Sequence, residues 1–363
     1  MKNAELTELL KGLVAIPSPS RQEKDAADYL QQRLAGFGLE PVRKGNNLWI
    51  EEEGRGDGRP VILLNAHIDT VKPAAGYSRD PFTPVEEGDV IYGLGTNDDG
   101  ASLVALLEAY VRLLPLRRSF RMIWSATAEE EVCGEGGLDS ILPELGKIDL
   151  AIVGEPTGMK MAVAEKGLIV LDCTARGKSG HAARDEGENA IYNALRDIDW
   201  FRTHSFERVS DYLGAVKMSV TMISAGTQHN VVPDNCRFVV DIRPNGLYSN
   251  AELMDIIRGS VSCEVVPRSL RHGSSHIDVD HPVVKRAGNI GIELFGSPTT
   301  SNQTLLDFPS VKIGPGDSAR SHTADEYILK SEIAGAVDVY VELLEGLELY
   351  WEKYGTRALT MMP

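Results

Sequence analysis

Residues 121–137, RMIWSATAEEEVCGEGG, place an apolar run shortly before three consecutive acidic residues. The run Met122-Ile123-Trp124 is typical of a buried strand, and the triplet Glu129-Glu130-Glu131 follows it within a few positions. Three like charges on adjacent residues repel one another, and burial at a strand end increases that cost. An acidic triplet alone most often lies on a solvated loop, so its meaning depends on the rest of the chain.

Strands and helices alternate on both sides of this stretch. The run VILLNAHID (61–69) and the run LAIVGEPT (150–157) are almost continuously apolar, as expected for strands covered on both faces. A strongly periodic segment, ASLVALLEAYVRLL (101–114), predicts a helix between them. This alternation indicates a mostly parallel α/β sheet.

The pattern changes near residue 168. Between 168 and 274 the predicted elements follow the order β-α-β-β-α-β, which is typical of a ferredoxin-like module. The α/β pattern then returns and ends in a long helix predicted over residues 329–354. We therefore predict a discontinuous α/β domain, residues 1–167 and 275–363, with a second domain inserted at 168–274.

Composition restricts the possible partners. The chain has 363 residues and a formal net charge of −16, and it shows no basic stripe for nucleic-acid phosphates or an anionic membrane. No apolar stretch reaches membrane-spanning length. Its four cysteines are far apart and form no C-x-x-C pair, which argues against a disulfide framework and a thiolate zinc site. We expect a cytoplasmic protein with no nucleic-acid or membrane partner.

Three apolar strands are followed by residues that bind metals. His67 and Asp69 end the first, the acidic triplet follows the second, and Glu155 follows the third. In open α/β sheets, sites form in the crevice outside the carboxyl ends of the strands. We therefore expect these side chains to meet at one edge of the sheet.

Two further segments supply candidate ligands. Asp98 and Asp99 precede the 101–114 helix, where helix capping is the alternative explanation, and His322 lies in a polar loop after a predicted strand. The glycines around Asp98 lack the spacing of a dinucleotide fingerprint. Histidines and carboxylates without cysteine suit a pair of zinc-like ions better than a structural zinc site.

Five motifs in order resemble those of the dinuclear zinc aminoacylase and deacylase superfamily: NAHIDTV, GLGTNDDGAS, ATAEEE, VGEPT and SHTADEYI. That superfamily includes acetylornithine deacetylase, succinyl-diaminopimelate desuccinylase, aminoacylase and glutamate carboxypeptidases. The resemblance covers nearly the whole chain and is strongest to acetylornithine-deacetylase-like enzymes. It implies a metallopeptidase-like α/β catalytic domain with an inserted ferredoxin-like dimerisation domain, and hence a homodimer.

The resemblance implies a role for each matching residue. Two Zn²⁺ ions are expected, with Co²⁺ able to substitute. One ion would be bound by His67 and Glu155 and the other by Glu131 and His322, with Asp98 bridging both.

The same resemblance implies catalytic and substrate-binding residues. Glu130 is expected to be the general base, and Asp69 to orient His67. His181, in SGHAA, is expected to reach the site of a neighbouring subunit and polarise the scissile carbonyl. The remaining candidates are substrate contacts: Lys166, Asn230 and Arg243.

The implied reaction is hydrolysis of the amide of an N-acylated amino acid, of the N-acetyl- or N-succinyl-ornithine or citrulline type, in arginine or a related biosynthesis. A dinuclear zinc dipeptidase or glutamate-type carboxypeptidase is the alternative. A non-catalytic zinc-binding dimer is less favoured, and a glycosidase would leave both histidines without a role. The chain departs from the family pattern after Asp98, where the usual lysine is missing, and at Asn302 and Ala225. These departures affect the expected substrate pocket, and they remove no expected ligand.

Overall fold

The structure is a computed structural model that describes residues 3–349. The helices are α1 (Asn3–Val14), α2 (Lys24–Gly36), α3 (Ala101–Leu113), α4 (Leu138–Leu145), α5 (Ala190–Thr203), α6 (Asn250–Ser260), α7 (Pro282–Asn289) and α8 (Lys330–Glu345). The predicted closing helix ends at Glu345, and its last residues, from 350 onward, lie outside the described part. Within residues 3–349, no helix is both long enough and apolar enough to cross a bilayer.

The strands are short and lie on both sides of the ferredoxin-like segment as well as within it. They are β1 (Val42–Lys44), β2 (Asn47–Glu51), β3 (Val61–His67), β4 (Val85–Glu87), β5 (Val90–Tyr92), β6 (Arg121–Thr127), β7 (Leu150–Val153), β8 (Met161–Glu165), β9 (Ile169–Arg176), β10 (Gly180–His181), β11 (Lys217–Ala225), β12 (Val231–Val232), β13 (Asn235–Arg243), β14 (Glu264–Pro267), β15 (Ser275–His276), β16 (Leu294–Ser297), β17 (Ser310–Lys312) and β18 (Tyr327–Leu329).

The chain divides into two compact units. The first contains the described residues up to Val163, Ile277–Phe295 and those from Ser301 onward. The second contains Ala164–His276 and Gly296–Thr300. The catalytic and dimerisation roles predicted for the two segments, and the boundaries predicted at 168 and 274, stay predictions.

The sheet of the first unit has the strand order β1-β2-β6-β3-β7-β17-β8. Its centre is parallel, because β3 pairs in parallel with β6 and β7, and β7 pairs in parallel with β17. The strands toward both edges are antiparallel, from β6 to β2 and from β17 to β8. The predicted α/β class is confirmed, with parallel pairing at the centre of a mixed sheet.

Alternate residues of β3 face opposite sides of this sheet, as the two-residue period of a strand requires. Ile62 and Leu64 pack into the cluster formed with α1, α2, α3 and α8, whereas Val61 and Leu63 pack into the cluster formed with α4. Both faces of the strand are therefore covered, which explains its continuous apolar sequence.

Strand register aligns the ends that carry the candidate residues. His67 is opposite Thr127, and Val153 is opposite both Asn65 and Lys312. The loops after β3, β6, β7 and β17 therefore leave the sheet at the same edge. A small sheet, β18-β5-β4, lies in the same unit and was not predicted from the sequence. It pairs Leu329 with Val90 and so fixes the chain just after His322.

The second unit confirms the β-α-β-β-α-β order, as β9-α5-β11-β13-α6-β14. Its antiparallel sheet has the order β11-β13-β9-β14. Ile169, Leu171 and Cys173 alternate along β9 into one core with buried residues of both helices. The ferredoxin-like module therefore has its own hydrophobic core, separate from that of the first unit.

Candidate active site

Five segments of the first unit carry the predicted site residues. His67 ends β3 and Asp69 follows it, Glu130 and Glu131 form a 3-10 turn after β6, and Glu155 lies two residues beyond β7. Asp98 lies in the irregular helical turn Thr96–Gly100 that precedes α3. His322 lies between β17 and β18.

His67 is held with one ring nitrogen turned toward the other candidates. Its side chain is 1% exposed, and its Nδ1 lies 2.9 Å from the carbonyl oxygen of Asp69 and 3.4 Å from Asp69 Oδ1. Since a carbonyl oxygen only accepts hydrogen bonds, Nδ1 carries a proton, and Nε2 is the ring nitrogen that faces the other candidates and could bind a metal ion. Nε2 lies 3.1 Å from Asp98 Oδ1 and 4.0 Å from Glu130 Oε2. The expected orienting partner of His67 is thus the backbone of Asp69 as much as its carboxylate.

The Asp69 carboxylate also organises the acidic triplet. The backbone N–H of Glu130 donates to Oδ1 at 3.0 Å and that of Glu131 to Oδ2 at 3.1 Å. The Ser20 hydroxyl donates to Oδ2 at 2.7 Å. Burial opposes ionisation, yet the bonds from His67, Ser20 and the Glu130 backbone lower the pKa of Asp69. One ionised, fully buried carboxylate therefore fixes the backbone of two neighbouring candidates.

His322, Glu131 and Asp98 form a second group. His322 Nε2 lies 3.0 Å from Glu131 Oε2 and 3.7 Å from Asp98 Oδ2. The hydrogen bond to Glu131 raises the pKa of His322 despite partial burial, with the charges of Glu131 and Asp98 adding to it. His322 has a φ of +59°, a left-handed conformation that a histidine keeps only where its surroundings impose it.

Glu130 and Glu155 experience strongly unfavourable surroundings for a negative charge. Burial, followed by the charges of Glu131, Asp69 and Asp98, raises the pKa of Glu130 well above its ordinary value, against the opposing effect of His67. Burial and the charges of Asp98 and Glu130 raise the pKa of Glu155 in the same direction, against Lys312. The cluster therefore carries more negative charge than its protein cations neutralise.

The donor set of this cluster fits divalent metal ions. His67, Glu130 and Glu131 bring one ligand atom each to within 4.8 Å of one another, and so do Asp98, Glu131 and His322. Imidazole and carboxylate donors without thiolate suit zinc and similar ions, and positive metal charge would offset the crowding of carboxylates. The second group contains the residues expected around one ion. The first brings Glu130 and Glu131 to His67, whereas Glu155 belongs to neither group.

Sequence reasoning missed the roles of several buried polar residues here. Asp99, to which the resemblance gives no role, is 1% exposed, and burial followed by the charge of Asp98 raises its pKa to about 7. Its Oδ2 accepts a 3.4 Å hydrogen bond from the backbone N–H of His67. Asn302, expected to affect the substrate pocket, is buried and donates 3.1 Å hydrogen bonds to Asn65 and Thr127. In the sequence, Asp99 and Asn302 stand out only as polar residues next to a motif or at a departure from one.

The remaining predicted residues lie in the second unit. His181 is exposed on β10, and its Nδ1 accepts a hydrogen bond from the Ala183 N–H at 3.1 Å, which leaves Nε2 for other contacts. Arg243 donates to both carboxylate oxygens of Asp241, at 2.8 and 3.0 Å.

Lys166 and Asn230 complete this set. Lys166 donates to the Ala215 carbonyl at 2.9 Å, and burial followed by the charges of Lys217 and Arg243 lowers its pKa. Asn230 is exposed next to β12. The second unit therefore presents several polar side chains, and their roles stay predictions.

Known proteins resemble this chain over nearly its whole length. A 28% identical relative, the acetylornithine deacetylase of Myxococcus xanthus, aligns over 90% of this chain and 92% of its own length. The [LysW]-lysine/[LysW]-ornithine hydrolase of Sulfurisphaera tokodaii is 27% identical and aligns over 96% of this chain and 97% of its own. An M20 family metallo-carboxypeptidase from Sulfolobus solfataricus has the same fold, with a TM-score of 0.76 at 17% identity over 95% of this chain and 99% of its own.

The family assignment rests on a longer match than any single motif. The model of the peptidase family M20/M25/M40 matches residues 63–346, which include every predicted site residue from His67 to His322. The expected resemblance is confirmed at this level: the chain is a hydrolase that belongs to the peptidase family M20/M25/M40.

Proposed function

We propose that this protein is a zinc-dependent amidohydrolase that removes a small acyl group from an N-acylated amino acid. The observation that supports it best is the pair of ligand groups that share Glu131, with the Glu130 carboxyl beside His67. Such a site can polarise an amide carbonyl and move a proton in the same place. A buried carboxyl group beside the ligands that is not itself assigned as a ligand favours a catalytic metal site over a purely structural one.

His67, Asp98, Glu131, Glu155 and His322 would hold two divalent ions, with Asp98 between the two histidines. Bound ions would supply Lewis-acid polarisation of the scissile carbonyl and lower the pKa of water. Zinc is the proposed metal because the donors are imidazoles and carboxylates, and Co²⁺ accepts the same donors.

Glu130 is proposed as the general base and then the general acid. Its side chain is 11% exposed and its Oε2 lies 4.0 Å from His67 Nε2, which puts a group able to accept and donate a proton beside the proposed ligands. It takes a proton from the attacking water as the new C–O bond forms. It then delivers that proton to the amine nitrogen as the C–N bond breaks, so the products are a carboxylate and a free amino group.

The names of the relatives support a substrate class. An acetylornithine deacetylase and a hydrolase of ornithine and lysine conjugates both release a basic amino acid from an amide. We therefore propose N-acetyl- or N-succinyl-ornithine, or the corresponding citrulline compounds, as substrates in cytoplasmic arginine or related amino-acid biosynthesis. Lys166, Asn230 and Arg243 are proposed to bind the substrate carboxylate or carbonyl.

A panel of substrates tests the reaction. Amine release would be measured for acetyl- and succinyl-ornithine, acetyl- and succinyl-citrulline and one dipeptide, with zinc, after chelation and after zinc is restored. Zinc-dependent release from one acyl amino acid supports the proposal and identifies the acyl group. Release from the dipeptide alone would assign the protein to the peptidases, and silence from protein carrying two zinc ions would contradict the proposed reaction.

We also propose a homodimer formed through the second unit. β11 is an edge strand of its sheet, and Met222 and Ile223 on it are 64% and 57% exposed. Tyr192 and Leu195 on α5 are 68% and 51% exposed. Light scattering should give a dimer for the native protein and a monomer for Ile223→Glu, whereas Val42→Glu, an equally exposed site on the first unit, should stay dimeric. A native monomer, or a dimer unchanged by Ile223→Glu, would contradict this interface.

A further inference from the structure

Asn97 connects two loops of the candidate site. Its side-chain nitrogen donates to the Asp317 carbonyl and to the Ser321 hydroxyl, each at 3.1 Å. Its side-chain oxygen accepts from the backbone N–H of Asp317 at 3.0 Å. Asn97 is completely buried and immediately precedes Asp98, while Ser321 immediately precedes His322. One amide thus ties the backbone that carries Asp98 to the backbone that carries His322.

Glu326 connects the same two loops in the opposite direction, from the His322 loop to the backbone beside Asp98. It is 2% exposed, and its Oε1 accepts the backbone N–H groups of Asn97 at 2.8 Å and Asp98 at 3.0 Å. Its own carbonyl accepts the N–H of Gly93 at 2.9 Å. Glu326 comes four residues after His322, so both loops hold each other through buried hydrogen bonds. Losing the Glu326 side chain would leave two buried N–H groups without acceptors, which costs more than the hydrogen bonds themselves contribute.

Asn97 packs closely against Gly316. A Cβ added to Gly316 would collide with the side-chain oxygen of Asn97, and Gly316 has a φ of +84° that favours glycine. Asp98 Oδ2 and His322 Nε2 lie 3.7 Å apart across this joint. Because these two atoms are so close, a shift of either loop would change the distance between them.

We propose that Asn97 and Glu326 form a clamp that sets the distance between Asp98 and His322. The clamp would let the second ion, expected at Glu131 and His322, bind as tightly as the first ion, expected at His67 and Glu155. This inference rests on the proposed metal-dependent function and adds two positioning residues to it. Without the clamp, His67, Glu131 and Glu155 keep their positions, whereas the distance between Asp98 and His322 is no longer fixed.

Zinc titration of chelator-treated protein tests the clamp. Asn97→Ala is the main variant, and Asn245→Ala is its matched control. Asn245 is also buried, its side-chain nitrogen donates to two carbonyls at 2.8 and 2.9 Å, and its oxygen accepts one N–H at 3.2 Å, all within the second unit. Both variants lose similar bonds, so their metal-free proteins should be similarly less stable.

The native protein and Asn245→Ala should bind two zinc ions tightly. Asn97→Ala should bind one tightly and the second about 10- to 100-fold more weakly, the usual effect of losing a group that orients ligands. Glu326→Ala should behave like Asn97→Ala, and Glu326→Gln should recover most of the affinity because it keeps an acceptor oxygen.

Each outcome separates the two proposals. Two tight zinc ions in Asn97→Ala and in a folded Glu326 variant would overturn the clamp and leave the proposed function standing. Equal weakening in Asn245→Ala would also overturn it, because the effect would then be a general loss of stability. A native protein that binds no zinc would overturn the proposed function together with the clamp.

Discussion

Replacing Asp69 by Asn should weaken metal binding and stability together. The substitution keeps the shape of the side chain but turns one carboxylate oxygen into an NH2 group. The Glu130 N–H faces one oxygen and the Glu131 N–H faces the other, so either orientation of the amide leaves one buried N–H opposite a donor. A charge-assisted hydrogen bond and an unsatisfied donor together cost about 3 kcal/mol of the free energy of unfolding. The misplaced turn should weaken zinc binding about 10- to 100-fold.

Asp197 offers a matched control for this variant. It is 6% exposed and accepts the N–H of Ser262 on one oxygen at 3.0 Å and that of Cys263 on the other at 2.8 Å. Asp197→Asn breaks the same pattern in the core of the second unit. It should lower the stability of metal-free protein by a similar amount and leave the zinc affinity of the protein unchanged.

Denaturant unfolding of the metal-free proteins and zinc competition against a chromogenic chelator measure the two effects separately. Native zinc affinity in Asp69→Asn would refute the idea that Asp69 arranges the triplet for metal binding. A parallel loss of zinc affinity in Asp197→Asn would show that zinc binding follows overall stability and not the Asp69 contacts.

Three other changes test separate parts of the site and fold. Glu130→Ala should keep its zinc, measured by metal analysis, and lose amide hydrolysis by about 100-fold or more, because it removes the proton carrier; near-native rates in zinc-loaded protein would contradict that role. His181→Ala should also be nearly inactive, and mixing it with Glu130→Ala should restore part of the activity if subunits share a site, whereas proven subunit exchange without recovery would exclude sharing. Burial lowers the pKa of His281 to about 4, whereas a histidine in the unfolded chain has a pKa of about 6.5. Below about pH 6.5 the unfolded chain therefore binds a proton that the folded chain does not bind. Up to about 3 kcal/mol of stability is lost as the pH falls toward 4. His281→Asn keeps an acceptor for the helix N-terminus, where His281 now accepts the Val283 N–H at 3.3 Å, and should flatten this part of the unfolding curve of metal-free protein; an unchanged slope would contradict it.

The sequence predicted the fold best where a strand is buried on both faces, because such a strand must be apolar along its whole length. The apolar runs before His67, the acidic triplet and Glu155 are strands whose register brings their ends together, and that geometry follows from parallel pairing alone. The ferredoxin-like order was equally accessible, because β9 and β13 alternate between more and less buried residues and the two helices each bury one face. Residue roles could then be carried over from a resemblance, and they stay predictions here.

The sequence was least informative where polar side chains hydrogen-bond to the backbone or short strands hold a loop in place. Strands β4, β5 and β18 have three residues each, too few for a periodic signal, yet they fix the chain after His322. Glu326 resembles a surface acid in sequence, and only the fold shows which N–H groups it faces. Glu129, which starts the triplet, has a φ of +58° and an ion pair with Arg21. A Cβ at Gly134 or Gly136 would collide with its side chain, so these two glycines leave the space that the Glu129 side chain occupies.

The separation of the ligands along the chain has a consequence for biosynthesis. His67, Glu131 and Glu155 emerge from the ribosome early, but His322 follows about 250 residues after His67, which takes on the order of ten to fifty seconds. During that interval the nascent chain presents a partial, strongly acidic ligand set. The second proposed ligand group is complete only after the inserted unit has been made, so binding of both proposed ions would have to wait until His322 has been translated. A chain that stops before His322 would contain most of the catalytic residues and still lack a complete site.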